Sequence, residues 1–157
     1  MKLFTLISLF LLSSIASADI SGTALIVDGD TITISGNKIR LNGIDTPEKD
    51  QTCRRAGVTW RCGYEATETL RNWTYTKEVR CVGDTKDRYG GLIANCFVDG
   101  YNVNARLVYE GLALAYRKYS KQYVPEEDKA RAAKRGMWAG EFVAPWDWRE
   151  GKRLTSE

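Results

Sequence analysis

The chain has 157 residues with 23 basic and 20 acidic side chains and no histidine, which excludes catalytic triads with an imidazole base and histidine-ligated transition-metal sites. Hydrolytic chemistry would have to rest on carboxylates, arginines, lysines, tyrosines and a hard metal ion. A 43% hydrophobic content with five tryptophans suits one domain with one core, and the net charge of +3 is too small to identify a polyanionic partner.

The first segment reads as a secretory leader: Lys2 gives a positive start, Leu3 to Ile15 is apolar, and Ala16-Ser17-Ala18 is a small-residue cleavage site. The apolar run is shorter than the roughly 20 residues that span a bilayer. The expected product is therefore a secreted or periplasmic single domain, residues 19–157, monomeric and without a membrane anchor. Its basic charge is uneven, because residues 117–153 hold 10 basic and 6 acidic side chains whereas 19–116 hold 12 and 13. A solvated helix face gives the same pattern.

Three strand signals follow, at Gly22 to Val27, Thr31 to Ser35 and Asn37 to Asn42, with turn residues Asp28-Gly29-Asp30 and Gly36-Asn37 between them. They predict a meander. An oxidising compartment makes the four cysteines a pair of disulfides. Three pairings are possible; the favoured one joins Cys53 to Cys62 across a short loop and Cys81 to Cys96 across neighbouring strands. The spacing lacks the close cysteine pairs of a zinc site. Helical spacing over Glu65 to Tyr75 aligns Ala66, Leu70 and Trp73. Val79 to Gly83 and Leu92 to Val98 predict a second strand pair. Asn102 to Glu110 predicts a helix with a Val103, Leu107 and Val108 stripe, and a third helix runs from Pro125 to Gly136. Five short strands with about three helices give an α+β fold, a partly open Greek-key β-barrel of the OB type.

Chemistry concentrates in Val27-Asp28-Gly29-Asp30-Thr31 and Ile39-Arg40-Leu41-Asn42-Gly43-Ile44-Asp45-Thr46-Pro47-Glu48. Asp30 starts one strand and Asp45 ends another, so a meander can bring both to one rim. Two carboxylates and a backbone carbonyl make a hard oxygen site suited to calcium. Each piece alone also has an ordinary reading, Asp-Gly as a turn and Asp45-Thr46-Pro47-Glu48 as a loop stop. Arg40 inside an apolar strand is harder to explain that way, since a charge there faces water or pairs with acid.

These segments together resemble the staphylococcal nuclease family. Further matches follow in order: Asp87-Arg88-Tyr89-Gly90, Leu92 to Gly100, Val103-Asn104-Ala105-Arg106-Leu107-Val108 with Gly111-Leu112-Ala113, and Lys134-Arg135-Gly136-Met137-Trp138. The cysteines and the tail Pro145-Trp146-Asp147-Trp148-Arg149 look like an exported bacterial branch. The resemblance implies an OB barrel with helices that cleaves DNA and RNA phosphodiesters using calcium. By motif position it implies Asp30 and Asp45 as carboxylate ligands, Thr46 as a main-chain carbonyl ligand and Asp28 just outside them. Glu48 would be the general base on the attacking water, and Arg40 would bind the phosphate. Tyr89 and Tyr116 would contact nucleotides beside the cation Arg88. One position departs from the pattern: Gly91 stands where the family has an arginine thought to stabilise the transition state. That departure keeps a second reading open, an OB-fold module that binds nucleic acid without cutting it. A third is a disulfide-stapled domain that holds calcium for stability alone.

Overall fold

A computed structural model of the chain describes residues 17–155. The expected leader lies outside these residues except for Ser17 and Ala18. The chain runs β1 (Ala18–Gly22), β2 (Ala24–Ile26), β3 (Thr31–Ile34), β4 (Asn37–Leu41), β5 (Ile44–Asp45), β6 (Cys53–Arg55), β7 (Val58–Trp60), α1 (Cys62–Thr74), β8 (Val79–Lys86) and β9 (Leu92–Val98). It continues through β10 (Tyr101–Asn102), α2 (Val103–Tyr109), β11 (Leu114–Ala115), α3 (Val124–Ala132), a 3-10 turn at Gly136–Ala139 and α4 (Pro145–Arg149).

The main sheet has the order β1-β8-β9-β4-β3-β2, with β10 added beside β9. Its two end strands, β1 and β2, are consecutive in the chain and meet at a bend after Gly22. The sheet thus curls back on itself. With β1 and β2 taken as one bent strand it is the expected five-stranded OB-type barrel. The predicted meander is β2-β3-β4, all antiparallel, while β4 and β9 close the curl in parallel.

Ile32, Ile34, Ile39, Leu41, Val79, Ala94 and Val98 point inward, and Ala66 and Leu70 of α1 with Leu107 and Val108 of α2 cap the same core. No helix among the described residues is long and apolar enough to cross a membrane. Both favoured disulfides are formed. Cys81 and Cys96 face each other in the β8-β9 register, and Cys53 and Cys62 tie β6 to the start of α1.

The sequence expectations are displaced in four places. β1 extends the first strand back to Ala18, where it pairs with β8. The Cys53 to Cys62 loop contains the β6-β7 hairpin. The third helix stops at Ala132 rather than Gly136, because Lys134 takes a left-handed conformation. A short fourth helix, α4, follows.

One buried polar residue joins these layers. Asn104, fully buried on α2, accepts a hydrogen bond from the Cys96 N–H at 3.0 Å and donates to the carbonyls of Asn42 at 3.0 Å and Ala94 at 3.1 Å. Alanine there would leave the buried Cys96 N–H and the part-buried Asn42 carbonyl without this partner, while the Ala94 carbonyl keeps the Asn42 N–H. We expect Asn104→Ala to destabilise the fold by about 3 kcal/mol, read as a lower denaturant midpoint at unchanged slope.

Candidate active site

β3 begins and β5 ends at the same rim. Asp30 precedes β3 directly, and Asp45 is the last residue of β5, which is held in place by antiparallel pairing with β11, Asp45 opposite Leu114. Asp30 accepts hydrogen bonds from the Thr46 N–H at 3.2 Å and the Thr31 hydroxyl at 3.1 Å. The Asp28 carboxylate accepts from the Asp30 N–H at 3.1 Å and closes the Asp28-Gly29-Asp30 turn. That turn presses on Thr46 so tightly that a Cβ at Gly29 would lie 2.7 Å from its Oγ1. Sequence places these residues in separate segments; the fold joins them.

Both aspartates are almost wholly out of water. Burial, the neighbouring Asp28 charge and Asp45 push the Asp30 carboxyl up to about 7, with Arg40 and the Thr46 N–H opposing. Burial also raises Asp45, against the pull of Arg149 and Arg40. A buried acid pair of this kind fits a divalent cation, whose charge would offset the desolvation. Among the described residues no group of three or more His, Cys, Asp or Glu side chains is placed to hold a metal. Of the expected ligands, Asp30 is bonded by the Thr46 N–H and both Asp45 oxygens are bonded by Arg149.

Arg40 lies on β4 opposite Thr31 and beside Ile93 of β9. Its charge is felt by Asp30, Asp45 and Asp87, yet among the described residues it makes no ion pair within 4.0 Å. Glu48 is half-exposed, three residues beyond Asp45. Its backbone N–H donates to the Gln51 side chain at 3.1 Å, its carbonyl accepts from the Gln51 N–H at 2.7 Å, and α1 begins directly against it. A Cβ at Gly63 would fall 1.6 Å from the Glu48 carbonyl oxygen.

The residue that sequence reading did not assign is Arg149. Its guanidinium donates to both Asp45 oxygens, at 3.0 and 2.6 Å, and to Glu48 Oε1 at 2.7 Å. The partners are 104 and 101 residues away in sequence, so no local motif announces the contact. The available signals were the tryptophan-rich tail and the basic bias of the C-terminal segment. The tail is clamped in place. Trp146 stacks on Tyr116 with centroids 5.5 Å apart and planes 6° from parallel. Trp138, Phe142, Ala144 and Trp146 pack around Cys53, Cys62, Leu114 and Met137. Gln51 Nε2 donates to the Val143 carbonyl at 2.7 Å.

Tyr116 therefore links β11 to the tail, with one ring face covered by Trp146. Tyr89 is exposed on the turn between β8 and β9, with the Arg88 guanidinium 4.8 Å from its ring centre. Gly91 ends that turn, donates its N–H to Asp87 at 2.9 Å, and does not have a positive φ.

Fold and site define an OB-type barrel with a buried acidic pair on its rim, faced by two arginines and a half-exposed glutamate. The family model described as staphylococcal nuclease homologue matches residues 38–140. The chain is 35% identical over 127 residues to the succinoglycan biosynthesis protein ExoI of Rhizobium meliloti, covering 78% of this chain and 66% of that one. An uncharacterized endonuclease of Haemophilus influenzae is 34% identical over 138 residues, with 83% and 72% covered. The micrococcal nuclease of Shigella flexneri is 32% identical over 157 residues, with 88% and 85% covered. The chain belongs to the staphylococcal nuclease family.

Two outcomes follow from this geometry. Gly63→Ala should lower stability by about 3 kcal/mol or more, because a methyl group cannot fit 1.6 Å from a backbone oxygen without moving the Glu48 segment; the denaturation midpoint measures it. The second outcome concerns pH. Because the Asp30 carboxyl is held up at about 7 against 3.8 when free, the fold keeps a proton that the unfolded chain gives up. This contribution is complete below about pH 4 and is lost as pH rises through about 7. In chelator, the melting temperature should fall between about pH 4 and 7 and level off above that, and Asp30→Asn should flatten the slope.

Proposed function

We propose that the chain is an exported, calcium-dependent nuclease that hydrolyses phosphodiester bonds of DNA, RNA or both with little sequence preference. The observation that carries this reading is the convergence of Asp30, Asp45, Arg40 and Glu48 on one rim from four separate strand and loop segments. Family membership and the nuclease names of two of its relatives support it. Two disulfides suit an oxidising compartment and so support export.

Asp30, Asp45 and the Thr46 carbonyl would hold the calcium ion, which supplies Lewis-acid polarisation of the phosphate. Arg40, free of any acid partner among the described residues, grips non-bridging oxygens with its planar fork. Glu48 takes a proton from the water that attacks phosphorus, and the departing oxygen leaves with the cleaved strand end and is protonated from solvent. Tyr89 with Arg88 on one turn offers an exposed aromatic face and a cation, which bind a base and a phosphate without regard to sequence. A cavity of about 560 Å³ beside Tyr116 adds the rings of Trp138 and Trp146 and the Lys118 cation, while Arg117 and Arg131 in its wall pair with Glu127.

A binding module that has given up chemistry is the competing reading, prompted by Gly91. Single-stranded DNA incubated with the protein in calcium and then in chelator separates the two. Cleavage that stops on chelation is expected; retention of the strand without cutting would favour the module. Glu48→Gln should lower the cleavage rate about 100-fold or more and leave calcium and DNA binding nearly unchanged, since an amide keeps the shape but takes no proton. A variant that cuts at the wild-type rate would remove Glu48 from the mechanism.

A further inference from the structure

We propose that Arg149 completes the active site from the C-terminal tail, as a second guanidinium directed at the scissile phosphate. The inference rests on the nuclease reading above. Its basis is position. One guanidinium hydrogen-bonds at the same time to Asp45, an expected calcium ligand, and to Glu48, the expected base, with three bonds of 3.0 Å or less. A phosphate attacked by water on Glu48, with an oxygen on a calcium ion held by Asp45, has to sit where those two carboxylates meet. Any group that touches both of them therefore borders that phosphate.

Three further observations distinguish Arg149 from an incidental surface ion pair. Asp45 is fully buried, so its partner is chosen by the fold rather than by solvent. The tail that carries Arg149 is fixed by the Tyr116–Trp146 stack, by Gln51 and by packing on the Cys53–Cys62 disulfide. Gln51 also bonds the Glu48 backbone in both directions, so one buried residue ties the segment of the base to the tail at Val143. The turn that ends at Gly91 brings no arginine of its own from that position, and Arg149 lies beyond the 38–140 span of the family model. The tail thus brings a guanidinium onto Asp45 and Glu48, whereas Arg88 of the turn lies against Tyr89.

During the reaction the water proton passes to Glu48 and neutralises it. The Arg149 hydrogen bond to that carboxylate weakens as the phosphate oxygens gain charge, so the guanidinium strengthens its hold where charge is developing. In the free protein the same guanidinium occupies both Asp45 oxygens and competes with calcium for them.

The two roles predict opposite effects of one change. Arg149→Met keeps an apolar stem of similar length and removes the charge. Its kcat for single-stranded DNA should fall about 100-fold or more with KM changed less than threefold, while its calcium dissociation constant, measured by calorimetry with calcium alone, should become about tenfold tighter. Arg149→Lys should recover part of the lost rate. A tail that merely braces the fold would lose rate and calcium affinity together, and that result overturns the proposal. So does an Arg149→Met variant that cuts within threefold of wild type. If the wild-type protein binds calcium but does not cut, the nuclease reading fails and this proposal with it; if it cuts and Glu48→Gln does not, only the Arg149 result decides.

Discussion

Asp30 and Asp45 are two carboxylates held out of water at one rim, and much of the molecule is arranged around the cost of burying them. Burial alone drives both toward the neutral form. The fold opposes that with backbone N–H donation from Thr46, with the Arg40 charge and with Arg149, and all three depend on the barrel. Thr46 reaches Asp30 because the Asp28-Gly29-Asp30 turn has no side chain at its centre to keep it away. Arg40 stands at the rim because β4 is fixed between β3 and β9. On the nuclease reading proposed above, a buried acidic pair of this kind would suit a divalent cation, whose charge would offset the desolvation.

The second constraint is how a tail that folds apart from the barrel is brought to the rim. Gln51 is fully buried and uses its backbone N–H, its side-chain oxygen and its side-chain nitrogen on Glu48 and Val143. The Cys53–Cys62 disulfide forms the floor on which the tail's aromatic residues pack. This second cluster is separate from the barrel core. Its contents are large aromatic rings and one disulfide, and ring stacking fixes orientation more tightly than aliphatic packing does. Glu127 does similar work nearby: buried on α3, it accepts the Ala115 N–H and pairs with Arg117 and Arg131, which holds β11, and with it β5 and Asp45, in register.

What could be read from the sequence and what could not divides along this line. Strands β3, β4 and β9 and helices α1 and α2 were legible because each carries a local period of apolar residues that matches its burial. Asp30, Arg40, Asp45 and Glu48 stood out as three carboxylates and an arginine in two short segments, and the roles expected of them came from the family resemblance of those segments. The pairing of Cys81 with Cys96 was favoured once both strands were placed. β1 was missed because its residues, Ala18 to Gly22, alternate weakly and pair only with the distant β8, Asp19 opposite Val82. Asn104 and Glu127 read as ordinary helix polar residues, since nothing local tells a buried amide or carboxylate from an exposed one. Arg149 was invisible for the same reason, as its meaning depends on contacts across 101 and 104 residues.

The missing arginine at position 91 illustrates how far a motif can be trusted. A motif fixes a residue type at a place in the chain, whereas chemistry needs a charge at a place in space, and the barrel can present one place from several segments. Position 91 reaches the rim from the β8-β9 turn; Arg149 reaches it from the opposite end of the chain, over a tail held by aromatic stacking. Position 91 is buried directly before β9, where a Cβ would lie 3.0 Å from the Asp87 carboxylate. Arg149 is partly exposed and meets Asp45 and Glu48 through its guanidinium, on a tail whose backbone Gln51 holds at Val143.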